Sequence, residues 1–220
     1  MKFLGKDIEL VIFDMDGTLI DSVGIWTKID EDFFAKRGFD YVPKDYQEMI
    51  IHTGLEKGAK LTIEKYGFTN DTIEGIIKEW RDASIYQYAH EIPLKEYAKE
   101  ILDYFKSQGI PLALATANDK ELYEPCLKRL GIEKYFDLIV DVDKVHEGKS
   151  SPRIFNFINE YFNISKDKTV VFEDSLMGLT TAKNDGYITV GVDDNSSKSS
   201  LQEKRKMSYK YISSFKELLK

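Results

Sequence analysis

Cysteine, excess basic charge and long apolar runs are all scarce in this chain of 220 residues. Cys126 is the only cysteine, so no disulfide can form within the chain, and a reducing cytoplasm is the expected compartment. Every apolar run is much shorter than a membrane-spanning helix, which needs about 20 residues, and the first ten residues lack a signal-peptide core. The net charge of −7 argues against a nucleic-acid-binding surface. We therefore expect a cytoplasmic protein, a monomer or weak dimer, without nucleic-acid or membrane partners.

The rest of the composition is that of an ordinary globular protein. Hydrophobic residues make up 42% of the chain and charged residues 31%, and the sequence contains no internal repeat or low-complexity tract. A chain of 220 residues suits one large domain, or a core domain with an insert. The helix and strand patterns along the chain favour the second arrangement.

The segment from Val11 to Ser22 carries the strongest signal. Its apolar, β-prone beginning, Leu10–Phe13, stops at two carboxylates, Asp14 and Asp16, and a Gly-Thr turn signal follows. This pattern predicts a buried parallel strand that presents acids at its carboxyl end, the edge where open α/β sheets bind ligands. The two carboxylates share one side of an extended strand and repel each other. The pair therefore implies a bound cation, an acid/base pair, or both.

The stretch after this strand has the periodicity of helices and no convincing strand. Helices are predicted over Ile25–Arg37, Tyr46–His52, Glu56–Lys65 and Asn70–Tyr88. Thr69 or Asn70 is the expected N-cap of the last of them. Residues 21–91 therefore form a predicted helical insert, and residues 1–20 and 92–220 form the predicted core.

From Pro93 onward, helix and strand patterns alternate. The predicted strands are Ile110–Ala115, Phe136–Val140, Thr169–Phe172 and Ile188–Val192, and the predicted helices are Leu94–Gln108, Lys120–Leu130, Pro152–Tyr161, Leu176–Asn184 and Ser213–Lys220. Such alternation is typical of a parallel sheet with crossover helices. The predicted fold class is therefore α/β, with the helical insert after the first strand.

Polar residues follow two more of these strands. Thr116-Ala117-Asn118 ends one strand and Glu173-Asp174-Ser175 another, and Lys149 opens a loop just before a helix. Because the carboxyl ends of parallel strands share one edge, these residues should join Asp14 and Asp16 there. Carboxylate oxygens are the ligands that Mg²⁺ prefers, whereas a hydroxyl, an ammonium group and N–H groups at helix N-termini suit a phosphate.

These segments, in this order, resemble the four motifs of the haloacid-dehalogenase-like superfamily. The motifs are Asp14-Met-Asp-Gly-Thr, the strand end at Thr116, Lys149 with Pro152, and Glu173-Asp174-Ser175-Leu-Met-Gly178. The resemblance spans the whole chain and is nearest to the branch that holds β-phosphoglucomutase and many small phosphatases. It implies a Rossmann-like parallel-sheet core with an inserted four-helix-bundle cap domain.

The resemblance also implies a role for each motif residue. Asp14 is the expected nucleophile, which attacks phosphorus to give an aspartyl-phosphate, and Asp16 is the expected general acid/base. Thr116 and Lys149 are expected to hold the phosphoryl oxygens. The adjoining Ala117-Asn118 segment is expected in the same substrate site.

A Mg²⁺ cofactor follows from the same resemblance. Its expected ligands are the carboxylates of Asp14 and Asp174 and the backbone carbonyl of Asp16, with Glu173 binding directly or through water. The implied partner is a small-molecule phosphate ester.

Some of these residues also have purely structural interpretations. Thr116 could cap the following helix, and Glu173 could contact the metal ligands without binding the metal itself. Lys149 could be a solvated loop lysine, because Ser150 stands where the family commonly has proline. Asp21 is expected to cap the first helix of the insert and to take no part in the reaction.

The insert departs from the mutase pattern. Where β-phosphoglucomutase-like sequences have a histidine in the first cap helix, this chain has Trp26, and Glu56 stands where an arginine belongs. His52 is the candidate for a substrate contact from the cap, and a surface histidine is the alternative. A mutase must bind two phosphates, and the cap residues that serve this purpose in mutase-like sequences are missing here. The expected reaction is therefore Mg²⁺-dependent hydrolysis of a small phosphorylated metabolite such as a sugar phosphate.

Three other functions remain as alternatives. A sugar-phosphate mutase would use the same fold and the same Asp14 chemistry. A signalling receiver domain also combines an acidic cluster with a phosphoacceptor Asp, a Thr and a Lys, but its phosphoacceptor follows a later strand. A hydrolytic dehalogenase needs no Mg²⁺, whereas Asp16 and Glu173-Asp174 suit a metal site.

Overall fold

The computed structural model describes residues 1–50, 54–194 and 200–219, and the chain divides into two compact units. The α/β unit joins Met1–Val23 to Ile92–Lys220, and the helical unit is Gly24–Glu91. That these units are a catalytic core and a cap stays a prediction. None of the helices in the described ranges is long and apolar enough to cross a lipid bilayer.

The strands of the described chain all belong to the α/β unit. They are β1 (Lys2–Phe3), β2 (Lys6–Asp7), β3 (Leu10–Phe13), β4 (Leu112–Thr116), β5 (Leu138–Asp141), β6 (Thr169–Glu173), β7 (Ile188–Val192) and β8 (Lys210–Ile212). The helices are α1 (Ile25–Ala35), α2 (Tyr46–Ile50), α3 (Leu55–Tyr66), α4 (Ile73–His90), α5 (Ala98–Ser107), α6 (Lys120–Arg129), α7 (Val142–Val145), α8 (Arg153–Phe162), α9 (Leu176–Asn184) and α10 (Leu201–Met207). Short 3₁₀ turns occupy Glu133–Tyr135, Lys166–Lys168 and Phe215–Leu218.

Six strands form one parallel sheet in the order β5-β4-β3-β6-β7-β8, and β1 and β2 form a separate antiparallel hairpin. The predicted α/β, Rossmann-like fold class is confirmed. β3 lies between β4 and β6, so the three strands that carry the predicted site residues at their carboxyl ends are neighbours in the sheet. That order places Asp14, Thr116 and Glu173 at one edge.

The middle strand β3 is buried on both faces. Leu10 and Ile12 pack into a core cluster that includes Phe155 and Ile158 of α8. On the opposite face, the ring of Phe13 stacks on that of Phe172 of β6 with 4.6 Å between centroids. A strand that is covered on both faces has a continuous apolar sequence, and this strand could therefore be predicted. The packing also fixes the point at which Asp14 leaves the sheet.

The C-terminal part of the α/β unit differs most from the prediction. β8 adds an edge strand of three residues, too short to show a period-two pattern. The helix predicted over Ser213–Lys220 is a 3₁₀ turn over Phe215–Leu218, closed at its start by a capping box between Ser214 and Glu217. The amphipathic pattern there signals a buried turn and not a continuous helix.

The described part of the helical unit consists of four helices around an aromatic core. Phe33 and Phe34 of α1 contact the rings of Trp80 and Tyr46 at centroid distances of 5.7 and 4.7 Å. Phe68, between α3 and α4, packs against both phenylalanines. The edge-to-face geometry of several of these pairs is a favourable arrangement of aromatic rings. That the four helices form a cap over a substrate stays a prediction.

The N-cap of α4 is Thr72, so the prediction of Thr69 or Asn70 was wrong. The Thr72 hydroxyl accepts a hydrogen bond from the Gly75 N–H at 3.0 Å. The Thr69 N–H donates to the Gly67 carbonyl instead, because the chain is still turning out of α3 at that point. Threonine and asparagine are both good caps, and only the turn geometry selects among the three residues.

Arg37 ties α1 to α4 within the helical unit. Its guanidinium donates to both carboxylate oxygens of Asp71 at 3.0 and 2.8 Å and to Glu79 at 2.8 Å. It also lies over the ring of Phe33 at 3.7 Å from the centroid. Arg37 holds the pKa of Asp71 below its usual value, and although burial opposes ionisation of Glu79, Arg37 and Lys36 lower the pKa of that carboxyl as well.

Arg37→Met should lower the free energy of unfolding by about 2 kcal/mol at neutral pH, because two part-buried carboxylates lose a charged donor. The carboxylates have folded-state pKa values below 3.8 and 4.5, so the difference between variant and wild type should be complete above about pH 5 and vanish as the pH falls further. Urea unfolding at a series of pH values measures this difference. The control is Lys78→Met, which removes an exposed pair with Asp82 and should cost at most about 0.5 kcal/mol. Equal losses in the two variants would contradict the prediction.

Candidate active site

The hydrogen-bond ladder between β3 and β6 continues to the first predicted site residue. The backbone N–H of Asp14 donates to the Phe172 carbonyl at 2.9 Å, directly before Glu173 and Asp174 begin. Asp14 is 5% exposed and Glu173 1%. The sheet itself therefore brings the two acidic motifs side by side.

Asp14, Glu173 and Asp174 form a cluster suited to a metal ion. One carboxylate oxygen from each lies within 4.8 Å of the others. The donors are hard oxygens from acidic side chains, which is the chemistry that Mg²⁺ prefers. The cluster therefore contains three of the four residues predicted as metal ligands.

The electrostatics of the cluster favour a cation. Burial and the charges of Glu173 and Asp16 raise the pKa of Asp14 to about 7, although Lys149 opposes the shift. Burial and the charges of Asp14, Glu173 and Asp194 raise the pKa of Asp174 to about 10. Buried carboxylates that repel one another in this way are stabilised in the ionised form by a bound divalent cation.

Lys149 is buried in the same cluster, with 7% of its surface exposed, so it is not a solvated loop lysine. Its ammonium donates to Asp14 Oδ1 and, at 3.0 Å, to Glu173 Oε2. Burial opposes its charge, but these two carboxylates hold the pKa of Lys149 above its usual value. A permanent positive charge therefore lies beside the predicted nucleophile.

Glu173 is held from two sides. Its Oε1 accepts from the Ser175 hydroxyl at 2.7 Å and from the Ser175 N–H at 3.0 Å, while Oε2 accepts from Lys149. Despite burial, Lys149 and Ser175 lower the pKa of Glu173. A Cβ on Gly178 would lie 2.5 Å from this carboxyl group, so the glycine of the Glu173–Gly178 motif leaves space for it. Glu173 thus anchors Lys149 in addition to contributing a carboxylate to the acidic cluster.

Asp16 is placed by a long-range contact. The Asn118 amide donates to Asp16 Oδ2 at 2.6 Å. This contact orients the predicted acid/base, and the substrate-binding role of Asn118 stays a prediction. The carboxylate of Asp16 is not among the metal-cluster acids that the described residues provide, which leaves its backbone carbonyl as the predicted ligand.

Thr116 is fully buried at the end of β4, and its hydroxyl accepts from the Asn118 N–H at 3.1 Å. The hydroxyl therefore shapes the turn that delivers Asn118 to Asp16. Ala117 is exposed beside it. The phosphate-binding role of Thr116 and Ala117 stays a prediction, and His52, the predicted contact from the insert, lies outside the described residues.

Two residues of the first motif have contacts that the sequence pattern did not reveal. Thr18 Oγ1 donates to Asp174 Oδ1 at 3.4 Å, and Gly17, at φ +71°, lies directly against the Asp174 carboxylate. A Cβ on Gly17 would meet Asp174 Oδ2 at 2.3 Å. The Gly-Thr pair signals a turn in the sequence, but only the fold shows that the turn packs on the second acidic motif.

Gly17→Ala should reduce catalytic turnover by at least about 100-fold, because its methyl group would displace Asp174 by about 1 Å. Gly131→Ala is the matched control: Gly131 has φ +68°, and no described atom lies within 4 Å of the place that its methyl group would take. Both variants incur the same left-handed backbone strain of about 1 kcal/mol. Activity and thermal unfolding of the two proteins separate the effects, and similar activity in both would show that Asp174 tolerates the shift.

Known proteins are similar to this chain over most of its length. The profile described as "Haloacid dehalogenase-like hydrolase" matches residues 11–192. A phosphorylated carbohydrates phosphatase from Thermotoga maritima is 32% identical over 179 residues, which cover 81% of this chain and 82% of that protein. A phosphoglycolate phosphatase from Neisseria meningitidis is 29% identical over 199 residues, covering 85% of this chain and 81% of that protein.

The fold has a close counterpart among solved structures. The crystal structure of a putative beta-phosphoglucomutase from Thermotoga maritima superposes with a TM-score of 0.80 at 30% identity. The match covers 93% of this chain and 94% of the other. The similarity therefore extends over nearly the whole of both chains and is not confined to one motif.

Proposed function

The chain belongs to the haloacid dehalogenase-like hydrolase family, and we propose that it is a phosphatase that hydrolyses the phosphate monoester of a small metabolite. The observation that carries the proposal is the buried group formed by Asp14, Lys149 and Glu173 beside Asp174. A carboxylate that lies next to an ammonium ion at a sheet edge is suited to attack an anionic substrate, because the cation offsets the repulsion.

Asp14 is the proposed nucleophile. Its carboxylate oxygen attacks phosphorus, the bond between phosphorus and the ester oxygen breaks, and an aspartyl-phosphate forms on Asp14. Asp16 donates a proton to the departing ester oxygen. Water then attacks the phosphorus of the intermediate and gives its proton to Asp16, which releases inorganic phosphate and restores Asp14.

The surrounding residues orient these two acids. Asn118 holds the carboxylate of Asp16 through its 2.6 Å hydrogen bond. Lys149 neutralises charge on the phosphoryl oxygens while Glu173 keeps its ammonium in place. The donor set fits Mg²⁺: Asp14, Asp174 and the Asp16 carbonyl would hold the ion, with Glu173 beside them, and it would supply positive charge against the phosphate.

A phosphorylated carbohydrate is the proposed substrate class, since the Thermotoga maritima relative is named for such compounds. Purified protein is offered sugar phosphates, phosphoglycolate and p-nitrophenyl phosphate, with Mg²⁺ or with a chelator. We expect release of inorganic phosphate that requires the metal and is highest with a sugar phosphate. No phosphate release from any ester in the panel would contradict the proposal.

A sugar-phosphate mutase is the second candidate, because the structural counterpart is titled a putative beta-phosphoglucomutase. Trp26 replaces the histidine of mutase-like sequences, which favours hydrolysis. Phosphorus NMR of the same reactions separates the two functions. A mutase gives an isomeric sugar phosphate without free phosphate, whereas the proposed phosphatase gives free phosphate.

A further inference from the structure

The chain pairs with the first motif where it returns to the α/β unit. Leu94 forms an antiparallel bridge with Ile20, and the Lys95 N–H donates to the Leu19 carbonyl at 2.9 Å. The Asp21 N–H donates to the Pro93 carbonyl at 3.0 Å. Lys95 is therefore fixed by its own backbone beside the loop that follows Asp14.

The side chain of Lys95 joins two loops at the carboxyl edge of the sheet. Its ammonium donates to the Gly17 carbonyl at 2.6 Å and to the Asp193 carbonyl at 2.5 Å. Gly17 follows β3 and Asp193 follows β7. The half-buried ammonium of Lys95 therefore connects two loops at the sheet edge where the acidic cluster of Asp14, Glu173 and Asp174 lies. Hydrogen bonds from an ionised donor are about twice as strong as neutral ones, so a neutral donor would replace them only in part.

Gly17 connects the hydrogen bond from Lys95 to the proposed reacting groups. The Gly17 N–H donates to the Ile20 carbonyl at 3.0 Å. Because the N–H and C=O of a trans peptide point in opposite directions, this bond directs the Asp16 carbonyl away from Ile20. The bond from Lys95 to the Gly17 carbonyl fixes the next peptide, and the α-carbon between the two peptides is the one that lies against Asp174.

We propose that Lys95 is a positioning residue that holds Gly17, and through it Asp16 and Asp174, in the geometry that the reaction needs. The inference rests on the proposed function, since that function assigns the reaction to these acids. Lys95 touches no reacting atom in this scheme. It acts by keeping both peptides that flank Gly17 in one orientation.

The test compares Lys95→Ala with Ile158→Ala, which opens a cavity in the core of the same unit at a fully buried position in α8. Lys95→Ala should lower kcat at least about 30-fold with KM changed less than about threefold, because the loss is one of orientation and not of substrate binding. Ile158→Ala should lose stability but keep kcat within about threefold of wild type. Added n-propylammonium, which replaces the atoms deleted from Lys95, should restore activity in Lys95→Ala alone.

Amide hydrogen exchange gives a readout that does not depend on turnover. Residues 15–20 should exchange faster in Lys95→Ala than in wild type or Ile158→Ala, since the loop loses a charged donor. Lys95→Gln keeps a shorter donor, so residues 15–20 should exchange at an intermediate rate in this variant. It replaces Lys95→Ala in the comparison if Lys95→Ala does not fold. Unchanged exchange in residues 15–20, or a kcat equal to that of Ile158→Ala, would overturn the inference.

The outcomes for Lys95 and for the proposed function are separable. If wild-type protein releases no phosphate from any ester, the proposed function fails. The exchange rates of residues 15–20 then still decide whether Lys95 holds the loop. If wild type is active and only Lys95→Ala loses kcat, with faster exchange and rescue by the amine, both stand.

Discussion

Asp14→Asn should abolish phosphate release, with kcat reduced at least about 10⁴-fold, and should at the same time stabilise the metal-free protein. The loss of activity follows from the proposed mechanism, because an amide cannot take the place of the carboxylate that is proposed to attack phosphorus. The gain in stability has a different cause: Asp14 is buried among Glu173 and Asp16, whose charges add to burial in raising its pKa to about 7. The amide has nearly the same shape and removes a buried charge.

Urea unfolding without Mg²⁺ should show that Asp14→Asn raises the free energy of unfolding by about 1 kcal/mol. A gain of this size is typical of a single stabilising substitution. Lys149 retains its bond to Glu173, and the amide oxygen can still accept from its ammonium. Added Mg²⁺ should stabilise wild type more than the variant, because the variant lacks one of the carboxylates proposed to hold the ion. Asp143→Asn, at an exposed position in α7, is the control and should change neither property.

Two results would contradict these expectations for Asp14. Activity within about tenfold of wild type would mean that another group attacks the phosphorus, since a lost nucleophile costs far more. A destabilised metal-free variant would mean that the bond from Lys149 outweighs the repulsion within the acidic cluster.

Lys149→Met should lose both activity and stability. Without the ammonium, the buried carboxylates of Asp14 and Glu173 lose their cationic partner, and removal of one partner from such a group costs about 3–5 kcal/mol. The kcat should fall about 10²- to 10³-fold, as for loss of one group that stabilises charge in the transition state. Added Mg²⁺ should restore part of the stability but not the activity, because in the proposed mechanism the metal does not replace the charge of Lys149 at the phosphoryl oxygens.

Lys204→Met is the matched control for Lys149. Lys204 is also buried and donates to the buried carboxylate of Asp194 at 3.0 Å. Its loss should destabilise the protein by a similar amount and keep kcat within about tenfold of wild type. Unfolding in urea and steady-state kinetics on both variants give the comparison. Equal falls in kcat would show that Lys149 acts through stability alone.

The strand that ends at Asp14 could be predicted because its signal is local. Leu10–Phe13 is covered on both faces, so every residue is apolar, and the pattern stops where the strand leaves the sheet. β6 and β7 were predictable for a similar reason, because all five residues of each strand are buried and most of them are apolar. β8 escaped prediction since an edge strand of three residues has too few positions to show a period.

The N-cap of α4 illustrates a different limit. Thr69, Asn70 and Thr72 have nearly the same intrinsic preference for a cap. The choice falls on Thr72 because the chain between Gly67 and Asp71 is occupied by turn hydrogen bonds. Propensity alone carries no information about where such a turn ends.

The local sequence sets which chemical groups lie at the ends of three strands: two acids after β3, a hydroxyl at the end of β4 and two acids at the end of β6. It also determined the α/β class, because periodicity and burial are properties of short segments. The tertiary structure decided which of these groups meet. Lys149 and Asp14 are 135 residues apart, Asn118 and Asp16 are 102 apart, and Lys95 and Gly17 are 78 apart. Such contacts depend on the strand order β4-β3-β6-β7 and on loop geometry, which no short segment of the chain encodes.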